Sequence, residues 1–134
     1  MEKTLIRNGF IITMDPGAGD IADGDILIED GLIKEVGQGI IAPDAAVFDA
    51  EEMIVLPGLI NAHRHTWETA LRGIGGAWAG REYFRIVHAG LAPRYTPEDT
   101  YLGNLAGALA QIHAGTTTIF DWCHNNATPA HSDA

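Results

Sequence analysis

Residues 57–73 read PGLINAHRHTWETALRG, and their order decides how the rest of the chain is read. After Pro57-Gly58, Leu59 and Ile60 run without a turn residue into Asn61-Ala62-His63-Arg64-His65. An apolar strand that passes directly into such a polar cluster is a strand ending at a site. His63 and His65 stand two apart, so on a strand their side chains leave the same face, about 6.5 to 7 Å apart at the backbone. Imidazoles so placed can converge on one divalent ion, which in a catalytic site keeps a position open for water. The bare pair decides nothing, because two histidines flanking an arginine in a loop have the same spacing and histidine is often partly buried without a metal.

Toward the C-terminus, Thr66 to Arg72 has the length of a short helix. Gly73, Gly75, Gly76 and Gly80 then predict a mobile loop with Trp67 and Trp78 near it. These glycines lack the strand-to-helix context of a phosphate loop, which argues against nucleotide binding through them. Thr96 as N-cap, Pro97 at the first helical position and Asp99 completing a Thr-x-x-acid signature predict a helix. Leu102, Leu105, Ala106, Leu109 and Ile112 follow at helical spacing to a stop at Gly115. Thr116 to Trp122, TTTIFDW, reads as a strand, so strand, crossover helix and strand succeed one another and imply a parallel pair. Thr128-Pro129 opens a further helix.

Toward the N-terminus, Leu5–Asp15 is β-rich and ends in the turn Asp15-Pro16-Gly17. Ile26 and Ile28 before Glu29-Asp30-Gly31, with Ile33 and Val36 after it, predict a hairpin. Short strands follow at Ala46–Phe48 and Met53–Leu56. Residues 1–56 are therefore expected to form a small antiparallel sheet, and 57–134 a separate unit.

Eight basic against eighteen acidic side chains give a formal charge of −10, which repels phosphate backbones and anionic lipid surfaces. Neither nucleic acid nor membrane is an expected partner. The N-terminus has no apolar run long enough for a signal sequence or a membrane span. Cys123 is the only cysteine, so no internal disulfide forms, and the reading is a reducing compartment, the cytoplasm.

With its neighbours included, the 57–73 string resembles the first barrel strand of the amidohydrolase superfamily, in which Pro-Gly-Leu-Ile-(Asn/Asp)-x-His-x-His carries two metal ligands. The β-rich leader is similar to that family's N-terminal sandwich strands, and HAGTTTIFDW at 113–122 to its second barrel strand. Leu71-Arg72-Gly73 resembles the branch of triazine chlorohydrolases and of cytosine, guanine and adenosine-derivative deaminases. The resemblance implies an α/β chain: strands of a small β-sandwich at 1–56, then the first two β/α units of a (β/α)₈ TIM-type barrel at 57–134, the barrel incomplete. Its site lies at the C-terminal strand ends. It implies a metal-dependent hydrolase acting on non-peptide carbon–nitrogen bonds of a small heterocyclic or amide substrate. His63 and His65 are the metal ligands it assigns, with zinc the expected ion and iron the alternative. Its remaining ligands and proton-transfer groups come from later strands, so no catalytic residue is assigned in this chain. Lys3 and Lys34, the only lysines, precede the motif and do not replace a carboxylated lysine. Related enzymes are commonly dimers or larger, which makes a homo-oligomer an expectation.

Trp67, Glu68, Arg72 and His124 are candidates for contacting substrate, being next to the pair or at the end of the second strand. Three also have an ordinary explanation: Trp67 as packing under the loop, Arg72 as a contact to a nearby carboxylate, His124 as an exposed loop residue. Asp121 is expected to cap or turn the chain, Cys123 to fill space, His113 to complement a helix dipole, and His88 and His131 to lie on the surface. Two other readings stand beside the hydrolase. One is a catalytically incompetent fragment of such an enzyme, since a barrel of this type needs at least ~200 residues. The other, less economical, is a small metal-binding or interaction module, which leaves the parallel-strand order unexplained.

Overall fold

Leu5 and Ile11 face the buried side of β1 (Lys3–Ile11), the strand around which the first unit is built. The computed structural model describes residues 2–134, which divide into two units, Met1–Pro57 and Gly58–Ala134. In the first, β2 (Ile21–Glu29) pairs antiparallel with β1 and with β3 (Leu32–Gly37). Asp30 and Gly31 join β2 to β3 with φ of 49° and 79°. Consecutive positive φ values are the backbone of a tight hairpin turn, whose twist matches that of the strands it connects. The hairpin expected around Asp30-Gly31 is thus present.

The other edge of β1 departs from expectation. The short strands β4 (Ala46–Asp49) and β5 (Ile54–Val55) both run parallel to β1, pairing Arg7 with Asp49 and Phe10 with Ile54. The sheet, ordered β3-β2-β1-β4 with β5 also beside β1, is mixed, not antiparallel. The long return from β3 permits a parallel approach that no tight turn would. Asp25 stabilises the return. Its buried carboxylate accepts the amide N–H of Asn8 at 3.2 Å and that of Ile40 at 2.9 Å, with Arg7 Nε 3.8 Å away. Leu5, Ile11, Ile26, Ile40 and Ala50 form the core.

In the second unit, β6 (Leu59–Arg64) and β7 (Thr116–Asp121) are parallel neighbours, Leu59 opposite Thr116 and Arg64 opposite Asp121. Between them come a 3₁₀ turn at Thr66–Leu71, α1 (Gly80–Tyr83), a π-helix at Phe84–Leu91, a second 3₁₀ turn at Ala92–Arg94 and α2 (Pro97–His113). α3 (Pro129–Ser132) follows β7. The capping box at Thr96 and Asp99 is complete: the Asp99 amide donates to Thr96 Oγ1 and the Thr96 amide to Asp99 Oδ2. Gly115, at φ 79°, ends the helix in the left-handed conformation that glycine adopts without strain.

α2 buries Thr100, Gly103 and Gly107, not its large apolar residues. A Cβ at Gly103 would lie 2.5 Å from the Trp67 carbonyl oxygen, and one at Gly107 2.6 Å from Thr69 Oγ1. Small residues therefore let the helix lie on the backbone of the 3₁₀ turn. Leu102, Leu105, Leu109 and Ile112 are exposed within this unit, as are Leu59, Ile60 and Phe120 of the parallel pair. Among the described residues no helix is long and apolar enough to cross a membrane.

Candidate metal centre

β6 delivers both histidines to its C-terminal end beside β7, and their rings meet edge to face with Nε2 atoms 3.2 Å apart. The Nδ1 of His65 lies 2.9 Å from the Trp122 carbonyl. A carbonyl only accepts, so Nδ1 carries the proton and the Nε2 of a neutral His65 presents a lone pair toward His63. Two nitrogens bound at about 2.0 to 2.1 Å to one tetrahedral ion stand ~3.3 Å apart. The separation, the tautomer and the carbonyl behind His65 are those of two imidazoles prepared to share a cation. His63 stacks on the Trp122 ring at 5.0 Å and 11°. Asp121 takes the expected capping role, its Oδ1 accepting the Thr66 amide at 2.9 Å. This fixes the chain as it leaves the histidines.

A cavity of about 490 Å³ opens beside the pair, lined by His63, Arg64, His65, Glu68, Arg72, Trp78 and Tyr83 among others. Of the four expected substrate contacts, Glu68 and Arg72 line this space. Trp67 and His124 do not. Trp67 is fully buried, edge-on to Tyr95 at 5.0 Å, and its indole N–H donates to His124 Nδ1 at 3.3 Å. The His124 ring lies 4.3 Å from that of His65. Burial first, then the neighbouring His65 and His88, push its pKa below the usual histidine value, so it is neutral at pH 7.

Of the two histidines expected on the surface, His131 is buried and His88 is only partly exposed. His88 is half-buried at 4.4 Å from His124, with Nε2 3.1 Å from the Tyr83 hydroxyl. That hydroxyl donates to Glu68 Oε1 at 2.6 Å, so it can only accept from His88. Burial first, then the Glu68 carboxylate, hold the Tyr83 phenol far above its usual pKa. The signal for this contact is a five-residue spacing, which brings side chains together on a π-helix and separates them on an α-helix. His131 is buried in α3, accepting from Thr128 Oγ1 and donating to the Tyr95 carbonyl, which pins α3 in place. Cys123 is a half-buried thiol whose pKa burial raises, in keeping with a space-filling role.

Glu68, His88 and His124 bring three ligand-type atoms within 4.8 Å of one another. Their hydrogen bonds are already assigned: Tyr83 joins Glu68 to His88, and the Trp67 N–H occupies His124 Nδ1, leaving the proton of the neutral ring on Nε2. These are two separate hydrogen-bonded groups, Glu68–Tyr83–His88 and Trp67–His124, bordering the histidine pair.

No family model matches the chain. It is 37% identical over 121 residues to a 5'-deoxyadenosine deaminase of Methanosarcina mazei, covering 90% of this chain and 28% of that protein. It is 39% identical over 117 residues to a 5-methylthioadenosine/S-adenosylhomocysteine deaminase of Pyrococcus furiosus, covering 87% of this chain and 27% of the relative. Among solved structures it is similar to the atrazine chlorohydrolase TrzN of Arthrobacter aurescens TC1 complexed with zinc. That match has a TM-score of 0.81 and 30% identity over 88% of this chain and 28% of the other. The chain thus spans little more than a quarter of the length of the proteins it matches. In sequence and fold the chain is similar to the N-terminal part of these enzymes of the amidohydrolase superfamily and spans an incomplete portion of their TIM barrel.

Proposed function

We propose that this chain supplies the first metal ligands and part of the substrate cavity of a metal-dependent hydrolase acting on non-peptide carbon–nitrogen bonds. The reaction is deamination, or a related hydrolysis, of a heterocyclic or amide substrate. The observation that carries this reading is the pair of Nε2 atoms, 3.2 Å apart, at the end of a parallel strand. The named substrates of the relatives, adenosine derivatives and a triazine, are nitrogen heterocycles, which supports the substrate class.

His63 and His65 would hold a divalent ion, zinc by the chemistry of the donors and by analogy with TrzN. Such an ion, when bound, makes water acidic enough to act as a nucleophile near neutral pH. The Trp122 carbonyl keeps His65 in the tautomer with a free Nε2. Glu68, hydrogen-bonded to Tyr83 through one oxygen, offers the other to a donor on the substrate, and Arg72 offers a cation to an acceptor. Neutral His124, backed by Trp67, borders His65 and contributes polarity at the rim. The lone cysteine of this chain carries the expectation of a cytoplasmic compartment, and the resemblance to commonly oligomeric enzymes carries that of a homo-oligomer.

Replacing both His63 and His65 by alanine in the complete protein is expected to remove bound zinc and turnover together. Retention of either contradicts the assignment. The fragment reading has its own support, since β6 and β7 alone close no barrel and leave Ile60 and Phe120 72% and 62% exposed. On that reading, activity belongs to the assembled protein. Catalysis at enzyme-like rates by the 134-residue chain with added zinc would refute it.

A further inference from the structure

We infer that Trp122 is the positioning residue of the histidine pair, its ring holding His63 while its carbonyl sets the proton of His65. The inference rests on the metal reading above and deepens it. Trp122 follows the last residue of β7, yet its amide donates to the Arg64 carbonyl at 2.7 Å, extending the contact between the strands by one rung. That rung fixes Trp122 against the residue lying between the two histidines. From this position it reaches both. The carbonyl stands 2.9 Å from His65 Nδ1, and the indole lies nearly parallel to the His63 ring, 11° from coplanar at 5.0 Å. Phe120 meets the indole edge-on at 5.7 Å and supports it from the same strand.

The side chain and the backbone of this residue do different work. The carbonyl survives any substitution, so a variant at 122 tests the ring alone. A metal-bound imidazole is poorer in electrons than a free one. An electron-rich indole face therefore attracts it more strongly, by the same electrostatics that draw cations to aromatic rings. A contact stronger in the metal-loaded state than in the metal-free state must raise metal affinity by linkage. A merely packing role would stabilise both states alike.

The test measures zinc affinity of the complete protein, stripped of metal and titrated in competition with a chelating indicator. Cobalt is substituted in parallel to read the ligand field by its visible spectrum. Trp122→Leu, which keeps an apolar side chain but removes the ring, is expected to weaken zinc about tenfold, the lower end of the effect of losing a ligand's supporting contact, and to alter the cobalt spectrum. Trp122→Phe is expected to restore most of both. Trp122→Met serves as a second ringless variant if the leucine protein does not fold. Ringless variants that bind zinc as tightly as the parent overturn the inference and leave the metal reading intact. A parent protein that binds no zinc overturns the metal reading, and this one with it.

Discussion

The two units of the chain are held by opposite means. Met1–Pro57 buries branched aliphatic side chains, Leu5, Ile11, Ile26 and Ile40, around a sheet whose main connection is a two-residue turn. Gly58–Ala134 buries Trp67 and Val87, but the close approach of α2 to the 3₁₀ turn depends on two glycines, and most of the large apolar residues of α2 face outward. The site residues all belong to the second unit. A region built on backbone contact and hydrogen bonding holds a few polar side chains in fixed directions, which is what orients a ligand within a cavity.

The sharpest test of this contrast is Gly103→Val. The added Cβ meets the Trp67 carbonyl, a backbone atom that cannot swing aside, so a loss of about 3 kcal/mol is expected. Denaturant unfolding of the complete protein measures it, and a loss below about 1 kcal/mol would show that the helix rests elsewhere. In the first unit, Gly31→Val forces a β-branched residue to φ 79° and is expected to cost about 2 kcal/mol by the same measurement, leaving zinc content unchanged. Asp121→Ala removes the acceptor of the Thr66 amide and is expected to cost about 1 to 2 kcal/mol. Unlike Gly31→Val, it should also weaken zinc, because it frees the segment that follows His65. Glu68→Gln and His88→Ala are expected to leave zinc content unchanged, as measured by elemental analysis. Loss of an equivalent of metal in either would turn the Glu68–Tyr83–His88 network into an ion site.

The smallest effect concerns the start of α2. Thr96→Ala is expected to cost about 1 kcal/mol. The Asp99 carboxyl is held below its usual pKa of 3.8 by the Thr96 amide first and the Thr96 side chain second. A depressed folded-state pKa means that the unfolded chain binds the proton more readily. The cap's contribution is therefore present above pH 3.8 and is lost as the pH falls below it. Thermal unfolding between pH 5 and pH 3 should show a steeper decline in the parent than in Asp99→Ala, and equal slopes would remove the cap from the account.

Local chemistry made the order of elements legible. The Thr96-Pro97-x-Asp99 signature, the stop at Gly115 and the β-branched run from Thr116 gave strand, helix and strand, and a spacing of two set His63 and His65 on one face. The parallel pairing of β4 and β5 with β1 was not legible, because a strand's residues do not encode the direction of its neighbour. The buried face of α2 was missed for a related reason: periodicity marks where apolar residues stand, whereas Gly103 and Gly107 work by having no side chain. The site beyond the pair was hidden by distance along the chain. Trp67 meets His124 and His65 meets Trp122 across 57 residues, and nothing in either segment names the other.

That same separation orders events in time. When β6 and the turn after it have formed but β7 has not yet docked, His65 has no carbonyl to hold its proton and His63 has no ring beneath it. The loop that must close first is more than fifty residues long, and its closure entropy is spent before either contact exists. Tight ion capture therefore follows pairing of the two strands and does not nucleate it. Refolding in zinc should proceed at the rate of refolding without it, the metal slowing only the return to the unfolded state.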